Sequence, residues 1–147
     1  MSKTTAFSGA LLELLFLNRA GLLIGDDVGL RGSIKAGQFW LSLHTQDPGM
    51  AGTQLSSEVH YGGYWRIPAE RGPEFWKVEG RKAILLQAID FPEMTTGAAL
   101  AAKFVGLGTS ESGGGLLLYR AKLEPEVILA AGVIPRIRKD TTEFGED

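Results

Sequence analysis

An all-β fold, in the form of a jelly-roll-like antiparallel β-sandwich preceded by one N-terminal α-helix, is the architecture this sequence predicts. Three observations carry that expectation. Short runs with apolar residues at alternate positions recur from residue 38 to 137, and no helical segment separates them. Glycine occurs 20 times in 147 residues, about twice ordinary usage. The glycines fall in pairs and runs, Gly62-Gly63 and Gly113-Gly114-Gly115, as tight turns between short strands require. One apolar run lacks strand alternation, Ala6–Leu17, and it stands ahead of all the others. A chain of this length holds a single core. The expected division is a helical segment at 1–20, a sandwich domain at 21–138 and a polar tail at 139–147.

The N-terminal run is expected to form a helix of about three turns. Thr4, Thr5 and Ser8 are the N-cap candidates, and Gly21 is the expected stop. Leu11 with Leu15, and Leu12 with Phe16, are i,i+4 pairs. A signal-peptide core is disfavoured, because Glu13 sits in the middle and no small-x-small cleavage site follows. The run is also too short to cross a bilayer. So few positions are left for water that the helix needs cover on more than one side. That cover is either its own domain or a neighbouring subunit, with Leu12 and Phe16 as contact residues.

Gly21–Gly25 is a candidate short strand, and Asp26-Asp27 opens a glycine-containing loop. The loop lacks the alternating oxygen ligands and terminal Glu of a calcium loop, so a turn with solvated carboxylates is expected. Gln38–Thr45 is the first clear strand, with Phe39, Leu41 and Leu43 on one face and Trp40, Ser42 and His44 on the other. Tyr64–Ala69 is a second, stopped by Pro68, and Phe75–Val78 a third. Arg81–Phe91 reads as one strand apolar on both faces, ended by Pro92. Ala101–Gly108 and Leu116–Leu123 form a hairpin across the polar loop Thr109–Gly115. Val127–Ile137 supplies one or two further strands. Lys139–Asp147 is expected to be an arm or disordered.

Net charge is −2, which argues against a nucleic-acid partner, since phosphate binding needs clustered Lys and Arg. The absence of cysteine excludes disulfides and thiolate metal sites. Catalytic groups are scarce. His44 with Asp47 would be a base and its orienter, and Ser56 or Ser57 a nucleophile, but nothing beyond loop proximity joins them. Glu58, Glu70 and Glu74 offer carboxylates without a pairing, and no metal-ligand spacing occurs. The loop Gly106–Gly115 lacks a P-loop lysine and leads into a strand, so it reads as a hairpin turn. No catalytic, cofactor-binding or metal-binding residue is therefore assigned, and no cofactor is expected. The aromatics Tyr61, Tyr64, Trp65, Phe75 and Trp76 cluster within a short stretch. They suit a sandwich core with a cross-strand ladder or a partner- or sugar-binding surface.

Several ordered segments resemble a known family. The apolar helix Ala6–Leu17 comes first, then Leu41-Ser-Leu-His-Thr-Gln-Asp-Pro48, then Gly52, Thr53, Glu58, Val59 and Tyr61-Gly-Gly-Tyr64 with Arg66. Ile89-Asp-Phe-Pro92 follows, then Phe104 to Tyr119, then Gly132 to Ile137. In this order they resemble the small virion proteins of tailed phages labelled tail-fibre-like, head-fibre or head-decoration proteins. The chain departs from that pattern at 20–37 and at 70–82, where particle-specific contacts are expected. The resemblance implies a structural, non-enzymatic protein of the virion, assembled in the host cytoplasm. Its leading role is then capsid decoration or cement. The alternatives are a tail, collar or fibre-attachment part, and a carbohydrate-binding module for host attachment. Expected partners are the major capsid protein or other virion proteins and further copies of the chain, a trimer favoured, with no nucleic acid or membrane. Leu12, Phe16, Tyr61, Tyr64, Trp65 and Trp76 are the candidate interface residues.

Overall fold

The computed structural model describes residues 2–146. Met1 and Asp147, the extremes of the expected helical segment and tail, lie outside the described residues. Helix α1 spans Thr5–Leu17. Thr4 caps it from an extended backbone, its hydroxyl accepting the Phe7 amide at 3.3 Å, which satisfies one of the free donors of the first turn. The helix stops before Gly21, contrary to expectation. Asn18 takes the left-handed conformation at φ 54°, and the Arg19 amide returns to the Glu13 carbonyl at 3.2 Å. Asn is among the few side chains that tolerate that conformation.

Strands and isolated bridges together hold 37% of the described residues, and the fold is an all-β antiparallel sandwich preceded by one helix. β1 (Gln38–His44), β2 (Ile67–Glu70), β6 (Leu100–Gly108) and β7 (Leu117–Leu129) form a four-stranded sheet in the order β2-β1-β6-β7. β3 (Trp76–Glu79), β4 (Lys82–Leu85) and β9 (Glu143–Gly145) form a three-stranded sheet in the order β3-β4-β9. β5 (Ile89–Asp90) pairs with β8 (Arg136–Ile137). The described residues thus form three antiparallel sheets, of four, three and two strands.

The face alternation read for β1 holds, and both its faces are buried toward its end: Ser42 and His44 are as hidden as Leu41 and Leu43. The hairpin β6–β7 also forms, and β7 runs on through Val127 to Leu129. Four expectations need correction. Pro68 does not stop its strand but lies within β2, opposite Trp40. β2 is a sheet edge, where a missing N–H costs no ladder bond on the free side. Arg81–Phe91 is two strands in different sheets, broken at 86–88, where Gln87 and Ala88 are exposed. Gly21–Gly25 makes only a single bridge, Gly21 to Leu30. The tail is no free arm: β9 pairs with β4, and Phe144 is 1% exposed.

One aromatic cluster joins the two larger sheets to the helix. Phe16 of α1 lies 4.7 Å from Trp76 of β3, 5.2 Å from Phe39 of β1, 5.6 Å from Tyr119 of β7 and 6.3 Å from Phe144 of β9, centroid to centroid. These are the offset and edge-on contacts that aromatic rings favour. The helix therefore finds its cover within its own chain, on β3 and β4.

Candidate functional site

At the turn-rich end of the four-stranded sheet, the segments 45–66 and 109–116 fold over a buried polar network. Glu58 and Arg66 form its centre. The guanidinium donates from Nε to Glu58 Oε1 and from Nη2 to Oε2, both at 2.8 Å, with the two side chains 4% and 3% exposed. This two-pronged geometry is the favourable one for a buried pair. Tyr64 donates its hydroxyl to Glu58 Oε1 at 2.8 Å. Burial, followed by the Glu58 charge, holds the Tyr64 phenol far above its ordinary value. The Glu58 hydrogen bond in turn raises Arg66 above the usual guanidinium range.

Arg66 also clamps the glycine loop. Nη1 donates to the Ser110 carbonyl at 3.0 Å and Nη2 to the Gly113 carbonyl at 2.7 Å. Gln54, fully buried, fastens the same loop from the other side. Its Nε2 donates to the Ser110 carbonyl at 3.1 Å, and its Oε1 accepts the Ser110 amide at 3.0 Å. Space is tight: a Cβ on Gly108 would lie 2.1 Å from Gln54 Cδ. The loop read as a hairpin turn is thus a turn, and one held by four side-chain bonds.

His44 lies beside this network. Its Nδ1 is 2.7 Å from the Ser56 carbonyl, which can only accept, so Nδ1 carries the proton. Nε2 then accepts the Ser42 hydroxyl at 2.8 Å. Burial holds His44 below the ordinary histidine value; the Ser56 bond and the Glu58 charge oppose that shift, and Arg66 adds to it. Gly106 makes room for the pair, since a Cβ there would fall 2.6 Å from Nε2.

The catalytic candidates are not brought together. Asp47, the supposed orienter of His44, binds Arg120 Nε at 2.5 Å and the Gly49 amide at 2.9 Å. The Ser56 hydroxyl takes the Thr53 amide at 2.9 Å. The Glu58 carboxylate is committed to Arg66, while Glu70 and Glu74 are exposed elsewhere. Asp26 behaves as the expected turn residue, accepting the Val28 and Gly29 amides at 3.0 Å each, and it pairs with Arg31 at 2.8 Å. The Arg31 bond, then those amides, hold its carboxyl below the usual range. Among the described residues, no group of three or more His, Cys, Asp or Glu side chains converges as a metal site would need.

The interface candidates divide sharply. Leu12, Phe16 and Trp76 are at most 1% exposed, and Tyr61 is 7% exposed. In the single folded chain they are core. Tyr61 donates to the Pro92 carbonyl at 2.8 Å, and burial pushes its phenol up to about 12. Tyr64 is half-buried against Phe91 and Tyr61. Trp65 alone of the six stands out, 61% exposed, beside Leu55 and over a shallow pocket of about 210 Å³. Met50 and Leu116 are exposed on the same set of loops. The residues that sequence reasoning missed are Gln54, Ser42 and the Glu58–Arg66 pair. The available signals were the i,i+2 spacing of Ser42 and His44 on one strand face, and the presence of Glu58, Tyr64 and Arg66 within the ordered segments.

The segments 20–37 and 70–82, singled out as departures, meet at one side chain. Arg71 donates to the Leu14 carbonyl at 2.8 Å and the Leu15 carbonyl at 2.5 Å, which are free acceptors at the end of α1. It also reaches the Ala36 carbonyl at 2.9 Å and the Ser33 hydroxyl at 3.0 Å. Asn18 grips the same loop through Ser33.

No helix among the described residues is long and apolar enough to cross a membrane. No curated protein matches the chain. The model of one family, described as Podophage GP4 fiber I protein gp80, matches residues 31–144. That span takes in every strand of the sandwich but the last residue of β9, together with the whole Glu58–Arg66 network. The chain belongs to the Podophage GP4 fiber I protein gp80 family, a family of bacteriophage virion structural proteins.

Proposed function

We propose that this protein is a non-enzymatic part of the fibre apparatus of a phage particle, acting by being bound and not by chemistry. The carrying observation is the match of residues 31–144 to a family described as a fibre protein. The arrangement of the site agrees. The His44–Ser42 contact is buried, the Glu58 carboxylate is neutralised by Arg66, and the loops above them expose Trp65, Leu55, Leu116 and Met50 among polar neighbours such as His60 and Glu111. A loop fixed by charged hydrogen bonds presents such a surface in one shape, which lowers the entropy cost of docking.

Capsid decoration, the leading role expected from sequence, requires the same kind of rigid scaffold and differs in copy number and position. Sugar recognition has lost much of its basis, since Trp65 is the one ring of the expected platform that is largely exposed. The decisive experiment is electron microscopy of purified particles with a labelled chain, alongside particles lacking it. A low copy number at fibre or tail positions is expected, with depleted particles that keep their heat resistance and lose adsorption. Hundreds of copies across the head lattice, with genome release at lower temperature after depletion, would replace this role with that of a cement protein. In either case the chain resides in the virion; assembly in the host cytoplasm, on the major capsid protein or another virion protein, is part of the proposal.

A further inference from the structure

A free sheet edge exposes backbone donors and acceptors, and those groups define what can bind there. Two free edges of this sandwich border one slot. β7 is the outer strand of the four-stranded sheet, and β8 has β5 on one side only. The slot between them measures about 340 Å³ and is walled by Leu123–Ile128 and by Val133–Arg138. Leu123 and Ile137 line it from the core, while Ile128 and Ile134, 62% and 57% exposed, line it at the surface.

The β8 wall is an open edge. Ile89 pairs with Ile137, and the Phe91 amide donates to the Pro135 carbonyl at 2.8 Å. Bonded and non-bonded pairs alternate along an antiparallel ladder. Arg136, opposite Asp90, falls between those two bonded positions. Its N–H and C=O therefore point away from β5, into the slot. Ile134, two residues earlier, is in the same phase, and its backbone makes no hydrogen bond to another backbone group among the described residues. Pro135 turns its carbonyl toward β5 and blocks nothing on the slot side, and the Arg136 side chain is drawn to Asp90. The β7 wall is guarded by contrast. Leu123–Glu126 have no partner in the β6 register, but Pro125 has no N–H to donate and Glu124 and Glu126 flank it. Proline and charge are the usual means of closing an edge.

We propose that the slot takes an extended peptide segment of another protein as an added strand on β8. Its backbone pairs with Arg136 and Ile134, and its alternate aliphatic side chains rest between Ile128 and Ile134. Main-chain bonds supply the hold and the side-chain seats supply the selectivity. A folded partner is poorly matched, because stable interfaces between folded proteins bury about 1,200–2,000 Å², far more than a narrow slot offers. The described ends of the chain are committed elsewhere, Lys3 to Glu146 at 2.9 Å and β9 to β4. The inference does not rest on the fibre role.

The probe is a blocked peptide of alternating valine and threonine, added to the full chain, with amide hydrogen exchange followed by NMR. Saturable binding is expected, slowing exchange at Ile134 and Arg136 and leaving the amides of the β2 edge unchanged. The same peptide N-methylated throughout keeps its side chains and loses its donors, and it should not bind; this tests the pairing on unaltered protein. Arg136→Pro removes the N–H that faces the slot and spares the bonds to β5, so it should weaken binding by roughly tenfold or more. Arg136→Ala keeps that N–H and should bind as the parent does, and the two variants should melt alike. Equal binding of the N-methylated peptide, unchanged exchange at Ile134 and Arg136, or equal affinity of the two variants would each overturn the proposal. Slowing of those amides that grows with protein concentration, with no peptide present, would also overturn it, since a second copy would then be the occupant.

Discussion

The two ends of this sandwich are held by different physics. At the helix end, five rings from α1, β1, β3, β7 and β9 meet around Phe16. At the loop end, Glu58, Arg66, Gln54 and His44 are buried with Tyr64 half-buried among them, and each is satisfied by hydrogen bonds. Apolar packing is non-directional and tolerates swaps that conserve volume. A buried charge network tolerates almost none, because a single lost partner leaves the other charge in a poor solvent. One end therefore supplies cohesion, and the other fixes the shape of the loops it carries.

The largest expected effect tests the apolar end. Phe16→Ala should lower the free energy of unfolding by about 3–5 kcal/mol, measured by urea titration, while Phe16→Leu should retain most of it. A small loss from Phe16→Ala would mean that the helix is peripheral to the fold.

Next is the polar end. Arg66→Ala should cost about 3–5 kcal/mol by stranding the Glu58 carboxylate. It should also free the amides of residues 109–116, detectable by hydrogen exchange. Arg66→Lys keeps the charge and loses the two-pronged geometry, so it should resemble the alanine change more than the parent. Equal exchange in that loop for parent and Arg66→Ala would sever the link between the network and the loop's shape.

Gly106→Ala should cost about 1–3 kcal/mol, the usual range for overfilling a packed site, because its methyl would press on His44 Nε2 and Ser42 Oγ. The same glycine-to-alanine change at Gly145, where the nearest atom would be 3.7 Å away, should be much milder. A similar cost at both positions would show that close approach is not what Gly106 provides.

A pH effect follows from His44. Its folded value lies below the ordinary 6.5, so between the two values the unfolded chain binds a proton that the folded chain refuses. The stability this provides is fully present above about pH 6.5 and is lost as pH falls toward the folded value. Melting temperature should drop over that window, and His44→Gln should flatten the drop. An unchanged slope in the variant would assign the acid sensitivity to another group.

The smallest expected effect is Trp65→Ala. As a surface change it should alter stability by no more than about 0.5 kcal/mol while reducing attachment of the chain to the particle. A loss as large as that of Phe16→Ala would return Trp65 to the core and erase the contrast between buried and presented aromatics.

What the sequence determined by itself were the properties that act over a few residues. The alternation of β1, the β6–β7 turn and the single N-terminal helix, though not which of Thr4, Thr5 and Ser8 caps it, all depend on near neighbours, and so did the order of segments that marked a phage virion protein. Pairing between distant segments was not legible. Phe144 sits in a polar stretch, and only β4 beside it makes that stretch a strand. Leu12, Phe16, Tyr61 and Trp76 have the composition of an interface and of a core alike, and only the facing sheets decide between them. Glu58 and Arg66, read singly, are ordinary surface charges; they become the centre of a network because two turns and a glycine loop close over them. Burial depends on what the rest of the chain places opposite a residue, and tertiary structure alone provides that.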